Sequence, residues 1–232
     1  MNIAVLQIYD DNIKSYAEYS RLFNAIYSYK HKYTYICFEY DLAPAFMSVY
    51  YNKLLATLAV FNDTRNFDWV LYLDSDAAIT NFDYTIEEII DRHAGKEIIM
   101  GSDENGSNNG VYLIKNTQNM KEFIAKAIQD KTCFHTKTPE QTAMFQLLKE
   151  TYAEHLGIEP AHFFNAYLEG YENHTAQKEN INFWDKDSFI LHLMMLSSED
   201  RSTIFRQTLI QENIICIPKP KELSHITRQN QI

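Results

Sequence analysis

Trp69-Val70-Leu71-Tyr72-Leu73-Asp74-Ser75-Asp76 is an apolar run that stops abruptly on two acids one residue apart. A continuous apolar run of this length predicts a strand buried on both faces. Ending it on Asp-x-Asp sets two carboxylates at the carboxyl edge of a sheet, where open α/β folds bind their ligands. Two like charges against a core edge repel and are costly to desolvate unless a cation sits between them. A hard divalent ion such as Mn²⁺ or Mg²⁺ would relieve that cost and bring phosphate oxygens with it. The plainer alternative is that Asp74 and Asp76 open a turn or cap a helix near residues 85–90, since Asp and Ser favour both positions.

Working outward, residues 3–8 read as a first strand and 13–30 as a helix, with Tyr16, Tyr19, Leu22, Phe23, Ile26 and Tyr27 at helical spacing. Residues 33–40 follow as a second strand, and strand, helix, strand is the pattern of a right-handed crossover. The end of the first strand commonly lines the ligand crevice, which makes Ile8 and Tyr9 candidate contacts. Tyr9 either stacks on a base or stands exposed in its loop. Residues 49–61 predict a helix with Leu54, Leu55, Leu58 and Phe61 inside and Lys53 either solvated or touching phosphate.

Beyond the two acids, 82–92 predict a helix, 97–102 a strand ending at Asp103, and 111–115 another strand. The Gly- and Asn-rich stretch 105–110 between them serves either a hairpin or close backbone approach to a ligand. Helices are predicted at 117–129 and 140–155. In the second, Thr138 is a candidate N-cap, Pro139 the first helical residue and Glu140 a first-turn acid, which explains Glu140 without catalysis. Residues 161–167 and 169–183 read as a loop-rich, aromatic substrate region. His192 sits in the apolar run Ile190-Leu191-His192-Leu193-Met194, where a lone histidine is ordinarily a satisfied core residue. Residues 218–232 predict a surface tail.

With 232 residues, 46% hydrophobic and 22% charged, the chain is long enough for one sizeable core. A net charge of −10 argues against nucleic acid as the main partner. A phosphate-bearing ligand stays compatible with that charge if a metal supplies the local positive charge. Cys37, Cys133 and Cys216 have no metal-like spacing and fit free thiols in a reducing compartment. No stretch is apolar for long enough to span a bilayer, and neither a dinucleotide fingerprint nor a P-loop occurs.

The ordered series Asp68-Trp69-Val70-Leu71-Tyr72-Leu73-Asp74-Ser75-Asp76-Ala77, Asn108-Asn109-Gly110-Val111-Tyr112-Leu113-Ile114-Lys115-Asn116 and Glu140-Gln141-Thr142-Ala143-Met144 resembles glycosyltransferase family 34, the metal-dependent yeast α-galactosyltransferases and plant xyloglucan α-xylosyltransferases. The resemblance runs from about the first strand to His192. It implies a GT-A fold, α/β with a mixed central sheet flanked by helices, as one nucleotide-sugar-binding domain over residues 1–217. It also implies Mn²⁺, with Mg²⁺ as a substitute, a nucleotide-sugar donor (UDP-sugar favoured, GDP-sugar also used by relatives), a glycan or glycoprotein acceptor, and retention of anomeric configuration. By carry-over, Asp74, Asp76 and His192 would hold the metal. Ile8, Tyr9, Lys53, Asp74, Ser75, Asp103, Asn109, Gly110 and Gln141 would contact the donor, and Glu140 with Asp103 would be catalytic. Phe164-Asn165-Ala166-Tyr167 resembles the family's Asn-containing turn.

The chain departs from that pattern in having Glu140 where the family often has Asp. It also has His192-Leu193-Met194-Met195 where His-Gly or His-Phe-x-Gly is usual, and it has no amino-terminal anchor, which predicts a cytoplasmic enzyme. The alternatives are an inverting GT-A enzyme using Asp103 or Asp185 as base, and an inert carbohydrate-binding protein using residues 163–184.

Overall fold

The computed structural model describes residues 1–103, 106–168, 183–211 and 227–228. The chain begins with β1 Ile3–Ile8, α1 Lys14–His31 and β2 Thr34–Phe38, close to the predicted strand, helix and strand. Next come α2 Asn52–Phe61, β3 Trp69–Leu73, β4 Ala77–Ile79 and α3 Ile86–Arg92. The hairpin β5 Ile98–Asp103 and β6 Gly106–Lys115 leads to α4 Gln118–Gln129 and α5 Pro139–Glu150. The remaining elements are β7 Leu156–Pro160, α6 Ala161–Phe164, β8 Ile190–His192, α7 Ser198–Gln211 and the two-residue β9 Thr227–Arg228.

The main sheet has the order β7-β5-β6-β3-β1-β2-β9. β1 is parallel to β2 and β3, β6 is antiparallel to β3 and β5, and β7 is parallel to β5. β3 is central and all five of its residues are buried, as its unbroken apolar run requires. Val70 and Tyr72 pack on one face with Leu54, Phe123 and Met144, and Trp69, Leu71 and Leu73 pack on the other with Ala17, Tyr27 and Ile89. Each large side chain buried this way contributes about 1.5–3 kcal/mol.

Local chemistry sets the helix boundaries. Thr85 and Glu88 form a reciprocal capping box, so α3 starts at Ile86 rather than at 82, and neither Asp74 nor Asp76 caps it. Asp74 does open a tight turn, its carbonyl accepting the Ala77 N–H at 2.9 Å. Thr138 takes the N-cap position of α5, with Pro139 first in the helix and Glu140 in its first turn as predicted, but its side chain makes no capping hydrogen bond. Residues 49–51 form a 3₁₀ turn ahead of α2. The 106–110 stretch extends β6, and 104–105 lie outside the described residues.

β7 and α7 have no counterpart among the predicted elements. β7 is an edge strand with a glycine and a proline, a composition tolerated only where one side of the strand is unpaired. The aromatic stretch 169–182 and most of the predicted tail, 218–232, lie outside the described residues, but Thr227–Arg228 pair alongside Ile36 and Cys37 of β2. Among the described residues no helix is long and apolar enough to cross a membrane.

Candidate functional site

Past the turn after β3, β4 forms a two-stranded sheet with β8, antiparallel and with Ala77 opposite His192. That register sets the imidazole against the acid just before Ala77. His192 Nε2 lies 3.0 Å from Asp76 Oδ1, and the ligand atoms of Asp74, Asp76 and His192 all fall within 4.8 Å of one another. The other ring nitrogen, Nδ1, is 2.7 Å from Asn165 Oδ1, an oxygen that can only accept. In the tautomer in which Nδ1 donates to that oxygen, the Nε2 lone pair faces Asp76 Oδ1 and is available to a cation.

Gly110 supplies the room for such a cation. It lies on β6, its carbonyl accepting the Asp74 N–H at 2.6 Å. A Cβ there would stand 2.3 Å from His192 Cε1, 2.8 Å from Asp74 Oδ2 and 2.8 Å from Asn108 Oδ1. A side chain would fill the space between the ligands. Two carboxylates and an imidazole around that gap form a donor set that could hold a metal ion.

The structure also corrects the expectation that two acids here require a metal to be tolerable. Each has its own protein cation. Lys53, buried rather than solvated, lies across Asp74 at 3.0 and 3.2 Å and reaches Glu140 Oε1 at 3.5 Å. Burial alone would lower the Lys53 pKa, but the Asp74 and Glu140 carboxylates more than reverse this and keep it charged. Asp76 Oδ2 meets Arg201 of α7 at 2.8 Å. Burial pushes the Asp76 carboxyl up, and His192 with Arg201 outweighs it, so the net shift is downward and the group is ionised. Of the two alternatives for Lys53, the solvated one is excluded: it shares the inner stripe of α2 with Leu54, Thr57, Val60 and Phe61, a stripe the 3.6-residue period defines.

Glu140 opens α5 with its carboxylate turned into the site rather than toward its own helix terminus. It is 2% exposed; Asn109 Nδ2 donates to its Oε1 at 3.3 Å, and its Oε2 has no partner among the described residues. Gln141 Oε1 accepts the Asn109 N–H at 3.3 Å. The structure thus brings Asp74, Asp76, His192, Lys53, Asn109, Gly110, Glu140 and Gln141 to one end of β3 and β6.

Other expected contacts are placed differently. Tyr9 is 4% exposed and packed in the core, so its ring is neither a stacking platform nor an exposed loop residue. Ile8 is buried beside it at the end of β1. Ser75 is buried in the turn, its carbonyl accepting the Ser20 hydroxyl at 2.6 Å. Asp103 ends β5, and its side chain lies outside the described residues. Asp185 is exposed and uses Oδ1 to accept the N–H groups of Asp187 and Ser188, a turn-forming role.

Four contributors were missed from sequence. Gln7 and Ser20 hold the Asp74 and Ser75 carbonyls, and Asn24 bonds both Ala77 O and Ile79 N–H. Ser20 and Asn24 lie on the same helix face as Tyr16, Phe23 and Tyr27, and small polar residues inside an apolar stripe are the signal that could have found them. Arg201 carries no comparable signal.

No family model and no curated protein matches the sequence. Solved structures do. A glycosyltransferase involved in glycosylation of the major capsid of PBCV-1 superposes with a TM-score of 0.70 at 16% identity, covering 89% of this chain and 100% of that one. The galactosyltransferase LgtC, solved with donor and acceptor sugar analogues, gives 0.51 at 12% identity, covering 96% and 100%. Mouse xyloside xylosyltransferase 1 gives 0.52 at 11%, covering 84% and 98%. These neighbours are GT-A glycosyltransferases, and the shared α/β architecture with its mixed sheet is the GT-A fold.

Proposed function

We propose that the chain is a metal-dependent glycosyltransferase that moves a hexose or pentose from a nucleoside-diphosphate sugar to a hydroxyl of a glycan or glycoprotein. The observation that carries this is Glu140: a buried carboxylate with an unpartnered oxygen, tied through Lys53 to the Asp-x-Asp turn. A buried orphan acceptor is expensive without a purpose. Asp74, Asp76 and His192 would hold the divalent ion, Mn²⁺ before Mg²⁺. When bound, the ion offsets the negative charge that gathers on a departing diphosphate.

The chain's own residues supply the rest. The Glu140 carboxylate stabilises the positive charge that develops at the anomeric carbon as the sugar–phosphate bond breaks. Lys53, buried and charged, pairs with Glu140 and holds Asp74 in place. Gln141 spends its oxygen on Asn109, which orients its amide N–H groups to donate to a sugar hydroxyl. Among the described residues Glu140 is the site carboxylate with an unpartnered oxygen and Asp185 is committed to its turn, which favours attack on the same face and retention of configuration over inversion by Asp185. UDP-sugars are favoured over GDP-sugars by the sequence resemblance. Cytoplasmic action is supported by the free, buried Cys37 and Cys133.

The test is a thermal-shift and calorimetric panel of UDP- and GDP-sugars with and without Mn²⁺, followed by NMR of the product anomer. Metal-dependent stabilisation by a UDP-sugar and a retained anomer are expected. Glu140→Gln should cut kcat by about 10²-fold or more with donor affinity little changed. A panel with no metal-dependent donor binding would favour the inert carbohydrate-binding alternative.

A further inference from the structure

α7 packs on α1 through Phe23 and Phe205, whose ring centroids are 6.1 Å apart, with Ile204 and Leu209 buried in the same cluster. This docking delivers Arg201, from the first turns of α7, to the far side of Asp76. Arg201 Nη2 is 2.8 Å from Asp76 Oδ2, and its Nε donates to Leu193 O at 2.9 Å. The guanidinium also lies over the Tyr16 ring, 4.8 Å from its centroid. Leu193 N–H in turn donates to the Asp76 carbonyl at 2.9 Å.

One side chain therefore closes a ring of hydrogen bonds between Asp76 and the residue that follows His192. A planar guanidinium can hold two acceptors at once in fixed directions, whereas an ammonium presents all its donors from one atom. The Asp76 oxygen left over is Oδ1, the one facing His192 Nε2.

We propose that Arg201 is a positioning residue of the metal site. It grips Asp76 by Oδ2 and the backbone beside His192 by Leu193 O, so that Asp76 offers the cation a single oxygen and His192 its Nε2 in a set orientation. The inference rests on Asp74, Asp76 and His192 holding a divalent ion. The competing account makes Arg201 a counter-charge alone, and the two differ in sign. Removing a counter-charge tightens cation binding, while removing an outer partner that orients ligands weakens it by about 10–100-fold.

The experiment titrates Mn²⁺ into the full chain, alone and with UDP, and follows the electron paramagnetic resonance signal of the free ion. Wild type, Arg201→Met, Arg201→Lys and Asp76→Asn are compared, with circular dichroism as the folding control. Both Arg201 variants are expected to bind Mn²⁺ at least about tenfold more weakly than wild type, the lysine included. Binding by Arg201→Met that equals or exceeds wild type overturns the proposal, as does full rescue by Arg201→Lys. If Arg201→Met does not fold, Arg201→Lys carries the test, because it keeps the charge and an aliphatic stem on Tyr16. A wild type that binds no Mn²⁺ in either condition overturns the metal site and this inference together. A wild type that binds, with variants that bind equally, overturns this inference only.

Discussion

Glu159 meets Arg92 and His93 much as Asp76 meets Arg201 and His192. The arginine contact is 2.8 Å and the histidine contact 3.0 Å in both clusters. Both carboxylates are buried. The clusters part company in what is left over. At Glu159 both partners converge on Oε1, and among the described residues no second acid completes a three-ligand group there. At Asp76 the partners take different oxygens, Asp74 stands close by, and Gly110 leaves room between the ligands. Gly157, by contrast, makes room only for the His93 ring, whose Nδ1 would lie 2.8 Å from a Cβ. A buried carboxylate recruits cations wherever it occurs. What marks a site is the cluster of ligand atoms and the room between them that remain once the charges are paired.

Exchanging the two acids gives the largest expected contrast. Asp76→Asn should abolish metal-dependent donor turnover, a loss of at least about 10³-fold, while Glu159→Gln should leave turnover within about twofold of wild type. Comparable losses in a transfer assay would erase the distinction between the clusters. The glycines sharpen it further. Gly110→Ala should weaken Mn²⁺ binding at least about tenfold by calorimetry, whereas Gly157→Ala should leave Mn²⁺ binding unchanged and lower only the melting temperature.

A smaller effect is expected on stability. Glu159→Gln should cost about 1 kcal/mol in urea unfolding, because the exposed Arg92 and the part-buried His93 lose a charged acceptor that is itself buried. The least effect belongs to Glu97, which pairs with His155 at 2.7 Å in a more open setting. Burial raises the Glu97 pKa, but hydrogen bonds from Thr117 and Asn119, together with His155, bring it below its ordinary 4.5. A depressed carboxyl contributes stability that is present above its unfolded value and lost as pH falls through the folded one. Glu97→Gln should therefore flatten the acid limb of stability below about pH 4.5, by less than about 1 kcal/mol, in unfolding midpoints taken from pH 3 to 6.

The sheet was readable where the pattern was strong. β1, β2, β3 and α1 lie within a few residues of their predicted positions because unbroken apolar runs and a 3.6-residue stripe leave little choice. β7 was not readable, since an edge strand with alternating burial, a glycine and a proline lacks that signature. Of the site, Asp74 and Asp76 were legible from the pattern itself, and His192, Asn109, Gly110, Glu140 and Gln141 through the family resemblance. Lys53 was visible with two alternatives, of which burial excludes the solvated one, and burial of Tyr9 in the core excludes both of its alternatives, a stacking platform and an exposed loop residue.

By itself, the sequence determined a central apolar strand ending on two acids, along with the crossover that starts the sheet, because hydrophobic periodicity is a property of neighbouring residues. Only the tertiary structure decided which charges those acids meet. His192 reaches Asp76 across a separation of 116 residues through the β4–β8 register, and Arg201 arrives through the packing of α7 on α1. Partners of that kind depend on long-range register and docking, which leave no trace in the spacing of residues along the chain.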